Sequence, residues 1–148
     1  EIVNVLQVFV FTEDEKMILT PTYHVFRMYK KHQGAELLDS YIADVCQIGT
    51  EEHKVPNLQE SVSVAGDGTI TVTIANLSVT DSYPVDIAFA QKKAVSAKAT
   101  ILSGKMDAYN TFDEPENVKE EVFTNVSITD EGVSLVIPAC SVISMEIA

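Results

Sequence analysis

The sequence predicts a mainly β protein: an antiparallel β-sandwich of the jelly-roll type, preceded by a short strand and one amphipathic helix. Two observations lead to this class. Apolar residues first recur with a helical period, and from about residue 37 onward they recur with the period of two that is typical of half-buried strands. Turn signals then separate many short apolar runs at regular spacing, as in sandwich proteins.

The helix is predicted over about residues 21–33. Thr20 can cap it by accepting a hydrogen bond from a backbone N–H of the first turn. Pro21 suits the first helical position, and Gly34 can adopt the conformation that ends a helix. The apolar face of this helix consists of Tyr23, Val25, Phe26, Met28 and Tyr29.

Residues 8–11 ahead of the helix read as a compact apolar strand with little to pair with nearby, followed by a turn at residues 13–15. A short strand, a turn and an amphipathic helix look like one edge of a larger body. We therefore expect two parts, a lead segment over residues 1–36 and an all-β domain over residues 37–148.

A β-hairpin is the clearest element of the all-β part. Val62 and Val64 alternate up to the turn at residues 66–68, and the alternation resumes at Ile70 and Val72. Further strands are predicted near residues 85–89, 95–101, 122–128, 133–137 and 143–147.

The charge of the chain bears on its partners. With 22 acidic and 10 basic residues, its net charge of −12 argues against binding to nucleic acid or to anionic membranes. No apolar run has the length of a membrane span, and the first residues lack the features of a signal peptide. Because the chain starts with Glu1, we expect a processed or excised segment. The compartment, cytoplasmic or periplasmic and secreted, stays open.

Cys46 and Cys140 are too few for a disulfide framework, and each lies in an apolar, strand-like run. Buried free thiols are therefore favoured over a bridge.

Candidate chemistry within the chain is sparse. The carboxylate pairs and clusters at residues 51–52, 113–116 and 120–121 are expected in solvated loops, because neighbouring residues of a strand point to opposite faces. His24, His32 and His53 lack the spacing of a helical zinc site, so no metal or cofactor is expected.

Three sequence blocks resemble the end of the barrel and the C-terminal sandwich of α-L-arabinofuranosidases of glycoside hydrolase family 51. The first comprises residues 3–7, 16–19 and the stretch Thr-Pro-Thr-Tyr-His-Val-Phe-Arg-Met-Tyr-Lys-Lys-His-Gln at 20–33. The others are Asn-Thr-Phe-Asp-Glu-Pro-Glu-Asn-Val-Lys at 110–119 and Ile-Pro-Ala-Cys-Ser-Val at 137–142. Glu120, where the family pattern has proline, and Cys140 depart from it.

The resemblance implies an enzyme that removes terminal α-L-arabinofuranosyl units from arabinan or arabinoxylan with retention of configuration. Retention needs two carboxylates about 5 Å apart on a rigid frame. A complete barrel takes about 250 residues, which is more than this chain contains. The catalytic glutamates of the family lie upstream of the matched blocks, so this chain alone is expected to be inactive. It would then be a non-catalytic domain that stabilises the catalytic barrel and meets arabinose-containing polysaccharide only through the complete enzyme.

Two sets of residues acquire a role from the resemblance. Glu1, Asn4 and Gln7 would lie near the last loop that lines the substrate pocket, where one of them would contact arabinose. Tyr23, Phe26 and Tyr29 would pack against the barrel, and core packing is favoured over a sugar-stacking stripe because of their helical spacing. Association of copies of the chain into a homo-oligomer through the same helix is left open.

Two other functions compete with this interpretation. A carbohydrate-binding module usually presents flat aromatic platforms, and the absence of tryptophan argues against it. A structural or adhesive sandwich unrelated to sugars would leave the lead segment without an explanation.

Overall fold

The computed structural model describes residues 8–90 and 92–148, and over this part the chain is mainly β, as predicted. One helix, α1 (Pro21–Tyr29), continues into a 3-10 turn (Lys30–His32). The strands are β1 (Val10–Glu13), β2 (Lys16–Leu19), β3 (Glu36–Leu37), β4 (Gln47–Gly49), β5 (Lys54–Pro56), β6 (Leu58–Val64), β7 (Ile70–Asn76), β8 (Tyr83–Ala88), β9 (Ala97–Ser103), β10 (Glu121–Phe123), β11 (Val126–Ile128), β12 (Gly132–Ile137) and β13 (Ser141–Ile147).

Two antiparallel sheets form the sandwich. The larger has six strands in the order β10-β9-β13-β7-β6-β3, and the smaller has three in the order β11-β12-β8. Strand β13 is central, because it pairs along its whole length with both β7 and β9. Two hairpins, β1-β2 and β4-β5, lie outside these sheets.

The main core lies between the two sheets. Alternate residues of β13, including Ile143, Met145 and Ile147, are at most 1% exposed and share one hydrophobic cluster with Val133 and Ile137 of β12. Burial of each such side chain stabilises the fold by about 1.5–3 kcal/mol. The predicted antiparallel sandwich is thus confirmed.

A third layer covers the outer face of the larger sheet. Met28 of α1 packs with Leu102 of β9 and Val118, and Val142 of β13 joins the same small cluster. Further along this face the buried side chains are hydroxyl groups, namely Ser63, Thr71, Thr73 and Ser144. Helix α1 therefore lies on the outer face of the larger sheet.

The helix begins where the sequence predicts. Thr20 is extended and its hydroxyl accepts from the Tyr23 amide, while Pro21 occupies the start of the helix. The α-helix ends at Tyr29, and the remainder of the predicted range to residue 33 is largely the 3-10 turn. Within residues 8–90 and 92–148, no helix has the length and apolarity needed to cross a membrane.

The predicted hairpin is present as β6 and β7. Val64 pairs with Ile70, and the Ala65 amide donates to the Thr69 carbonyl across the turn. Gly68 has a φ of +86°, a conformation that glycine adopts without steric cost.

One strand predicted over residues 122–128 is wrong, because the chain changes sheets there. β10 pairs with β9 in the larger sheet, whereas β11 pairs with β12 in the smaller one. Phe123 packs against the core, and Val122 is 78% exposed, so the apparent alternation does not describe one face. The strand predicted from residue 95 likewise begins later, at Ala97, with Val95 exposed.

The expectation that residues 8–11 have no local partner is also wrong. The strand lies at Val10–Glu13 and pairs with Lys16–Leu19 in a tight hairpin. Asp14, in the turn, has a φ of +49°, which short polar side chains tolerate better than most.

The cysteines are free, as favoured, but neither is a buried strand residue. Cys46 is exposed in the segment before β4. Cys140 is half-buried in the turn between β12 and β13, with a φ of +46°. Both sit beside apolar runs that the sequence pattern extended too far.

Candidate functional site

Helix α1 presents two different faces. His24 and Met28 point toward the sandwich and are buried. The opposite side carries Tyr23, Phe26 and Tyr29, which we call the aromatic face. Phe26 is 60% exposed although its ring packs against Phe9, with ring centroids 4.4 Å apart and an interplanar angle of 48°.

The start of α1 is tied to the residues before β1. The Thr20 hydroxyl donates to the Val8 carbonyl at 2.7 Å, and the Thr20 amide donates to the Phe9 carbonyl at 3.0 Å. These bonds hold Phe9 beside the helix, where it can meet Phe26. The aromatic face is therefore a rigid feature of the lead segment.

A largely buried carboxylate joins α1 to the sandwich. Glu120 Oε1 accepts from Arg27 Nε at 3.0 Å and lies 3.2 Å from His24 Nδ1. The side chains of Glu120 and His24 are 11% and 9% exposed, whereas that of Arg27 is 55% exposed. One oxygen atom of Glu120 thus contacts two side chains of α1.

The C-terminal end of α1 is held by hydroxyl groups. His32 Nδ1 lies 2.7 Å from Ser63 Oγ, and His32 Nε2 lies 2.9 Å from Thr73 Oγ1. Burial lowers the pKa of His32, because the cation loses hydration there. The neighbouring Lys31 makes an exposed ion pair with Glu146 at 2.9 Å.

Asn110 ties a third segment into this region. Its Nδ2 donates to the carbonyl oxygens of Leu19 at 2.7 Å and Val118 at 2.8 Å, and its Oδ1 accepts from the Val118 amide at 2.6 Å. One buried carboxamide thus holds the end of β2 and the segment before β10 together.

An open, mainly apolar cleft of about 250 Å³ lies beside this junction. Its walls include Pro21, Leu77, Leu102, Met106, Val118 and Cys140. The cleft holds no carboxylate, so it offers no acid or base pair of the kind that glycoside hydrolysis requires.

The rest of the described chain has no grouped catalytic side chains. Within residues 8–90 and 92–148, no set of three or more His, Cys, Asp or Glu side chains is placed to hold a metal ion. The carboxylates at residues 51–52, 113–114 and 116 are exposed, as expected for solvated loops. Glu121 is exposed too, but it is the first residue of strand β10 and not part of a loop. Glu120 differs from that expectation, since it is largely buried.

Comparison with known families identifies this arrangement. The model of the α-L-arabinofuranosidase C-terminal domain family matches residues 1–141. The chain belongs to this family.

Relatives of this arabinofuranosidase C-terminal domain are longer proteins. An intracellular exo-α-L-arabinofuranosidase of Bacteroides ovatus is 34% identical over 99% of this chain, which spans 29% of that relative. The crystal structure of the GH51 arabinofuranosidase from Xanthomonas axonopodis pv. citri superposes with a TM-score of 0.93 at 30% identity. That match covers 100% of this chain and 30% of the solved one.

A more distant structure supports the fold alone. The α-L-arabinofuranosidase from Thermotoga maritima, solved as an arabinose complex, has a TM-score of 0.82 at 22% identity and covers 99% of this domain and 32% of that chain. The domain thus spans less than a third of each of these three relatives, and in the homologues the catalytic barrel belongs to the same polypeptide.

The sequence-predicted site residues fall into two groups. Glu1, Asn4 and Gln7 lie outside the residues that the structure describes. Tyr23, Phe26 and Tyr29 share one side of α1, away from the buried His24 and Met28. Tyr23 and Tyr29 are half-buried, and Phe26 does not join the core of this domain.

Sequence reasoning missed the residues that bind the domain's parts together. Glu120, Asn110 and His32 all pair with residues distant in sequence, and their partners cannot be read from local patterns. One signal was available for Asn110, since it opens the second matched block.

Proposed function

We propose that this chain is the non-catalytic C-terminal domain of a retaining α-L-arabinofuranosidase, and that it packs against and stabilises the enzyme's catalytic barrel. The exposed aromatic face of α1 carries this proposal. A phenylalanine that is 60% exposed, on a helix whose other side is fully packed, is a surface suited to a further partner.

Several features support the barrel as that partner. The matched relatives are arabinofuranosidases of which this domain is less than a third, so a larger body accompanies it in each of them. The aromatic face lies on the lead segment, residues 1–36, which we assign to the last β/α unit of the barrel. Residues 37–148 then form the C-terminal sandwich proper.

The domain contributes little chemistry of its own under this proposal. The exposed carboxylates of the described chain lie in loops or at strand ends, where they lack the rigid pairing about 5 Å apart that retention requires. We assign catalysis to the barrel. A contact to arabinose from Glu1, Asn4 or Gln7 is the one link to the pocket that we propose for this chain. Alanine at each position in the complete enzyme should raise KM or lower kcat.

The test is Phe26→Ser, made both in the complete enzyme and in this 148-residue chain. In the complete enzyme the variant should lower the unfolding temperature by about 5 °C, because it would leave an apolar pocket of the barrel unfilled. In the chain alone it should lower the free energy of unfolding by no more than about 1 kcal/mol, which is the contribution of the tilted ring contact with Phe9.

Val122→Ser is the matched control, since Val122 is 78% exposed and lies on β10 rather than on α1. It should change neither protein. Equal effects of the two serine variants on the complete enzyme would contradict the proposal. Binding of the isolated chain to arabinan would instead favour the carbohydrate-binding module.

A further inference from the structure

We propose that Glu120 is the positioning residue that holds α1 in one orientation on the sandwich, and so sets the direction in which the aromatic face meets the barrel. The part of this inference that concerns the barrel rests on the proposed function. The hold of Glu120 on the helix does not.

Burial makes this carboxylate dependent on the helix. The Glu120 side chain is 11% exposed, and a carboxylate so far removed from water needs partners that replace its hydration. Both side chains seen at Oε1, Arg27 and His24, come from α1. Glu120 is therefore satisfied only while the helix is docked.

The two contacts on α1 lie three residues apart, so they are neighbours along one side of the helix, about 4.5 Å apart along its axis. Two such points oppose both sliding and rotation of the helix, whereas one point would act as a pivot. Asn110 adds a third point, because its Nδ2 holds the Leu19 carbonyl just ahead of the N-cap. Residues 110–120 thus hold α1 from Leu19, just ahead of its N-cap, to Arg27 in its last turn.

Other ion pairs in the region are poorer candidates for this role. Lys31 and Glu146 are 52% and 42% exposed, and Lys119 with Glu116 are 43% and 71% exposed. Exposed pairs of this kind are screened by solvent and contribute little. In the contact between Glu120 and His24, by comparison, both side chains are largely buried.

The position of Phe26 depends on the orientation of α1. It belongs to the same helical turn as Arg27, but it projects about 100° away from Arg27 around the axis, where its ring packs against Phe9 at an interplanar angle of 48°. Rotation of α1 about its axis would move Phe26 away from Phe9 and turn the aromatic face. The carboxylate and the exposed ring are therefore linked through one rigid helix.

The experiment measures hydrogen exchange of the α1 amides in the complete enzyme and compares the variants Glu120→Ala, Glu120→Gln and Glu116→Gln. Loss of hydrogen bonds to a buried charged group should raise exchange of the α1 amides about tenfold in Glu120→Ala. Glutamine keeps an acceptor oxygen, so Glu120→Gln should raise it less. The control Glu116→Gln breaks an exposed pair on the same segment and should leave α1 unchanged.

Histidine nitrogen spectra of the 148-residue chain give a second readout. The chain has three histidines, so each ring can be assigned. Glu120→Ala should shift the Nδ1 signal of His24 and leave those of His32 and His53 in place. This pattern separates a local change at the helix from general loosening of the fold.

Two results would overturn the role of Glu120: unchanged α1 exchange in Glu120→Ala, or an equal rise in α1 and in the β7 and β12 amides. The second result would mean a contribution to global stability alone. The outcome of the Phe26→Ser test does not depend on the outcome for Glu120. If it leaves the complete enzyme unaffected while Glu120→Ala loosens α1, the proposed contact with the barrel falls and the positioning role stands.

Discussion

The side-chain amide of Asn110 donates a hydrogen bond of 2.7 Å to the carbonyl oxygen of Leu19, which lies 91 positions earlier in the chain. The same carboxamide makes two further bonds with the backbone of Val118. A single buried side chain therefore connects the β1-β2 hairpin to the segment that leads into β10. Each of these backbone groups would lose its partner if the carboxamide were removed.

Asn110→Ala should destabilise the chain by about 3 kcal/mol, because it leaves the buried Val118 amide and two carbonyl groups without their bonds. Urea denaturation would measure the loss. Asn117→Ala is the matched control, since Asn117 is exposed and donates one bond to the Tyr109 carbonyl. The control should lose less than about 1 kcal/mol. Equal losses of unfolding free energy in the two variants would contradict the prediction that the buried bonds of Asn110 contribute more.

His32 makes stability depend on pH in a defined direction. Burial lowers its pKa below the ordinary histidine value of 6.5, so the unfolded chain binds a proton more readily than the folded chain. The stability linked to His32 is therefore fully present above pH 6.5 and is lost as the pH falls through the lower folded value. Denaturation midpoints between pH 7.5 and pH 5 should fall less in His32→Gln than in the parent chain. His53→Gln, at an exposed site, should behave like the parent.

Gly132 should tolerate no side chain. An added Cβ would overlap the carbonyl oxygen of Ile87 on the paired strand β8, and it would also crowd the ring of Phe89. We expect Gly132→Ala to destabilise the chain by about 3 kcal/mol, because two strands of the smaller sheet would have to separate. Gly66→Ala is the control, since nothing lies within 4 Å of its Cβ position. Thermal unfolding followed by circular dichroism would compare them, and similar unfolding temperatures would contradict the prediction.

Local signals account for the parts of the fold that the sequence predicts well. The cap at Thr20, the hairpin turn between Val64 and Ile70 and the alternation along β13 depend on residues close together in the chain. Each of these elements lies where its pattern predicts, within a few residues. The three matched sequence blocks also predicted the family, because their order and spacing extend over nearly the whole chain.

Non-local pairing accounts for what the sequence did not predict. Val122, Thr124, Val126 and Ile128 alternate like one strand, but the choice of sheet is made by β9 and β12, which lie elsewhere in the sequence. The role of Glu120 was missed for the same reason. Its carboxylate looked like one of a solvated pair, and its partners on α1 lie 96 and 93 positions away.

The two ends of α1 rest on chemically different surfaces, and this gives its detachment a direction. Under the 3-10 turn, Ser63 and Thr73 present hydroxyl groups that water can hydrate at small cost once His32 leaves. Departure of α1 itself would expose Met28 and leave the largely buried carboxylate of Glu120 without its partners. The 3-10 turn should therefore separate from the sandwich before α1 does. Because β3 pairs with β6 directly afterwards, this layer would open as a local loop between two held segments and not from a free end.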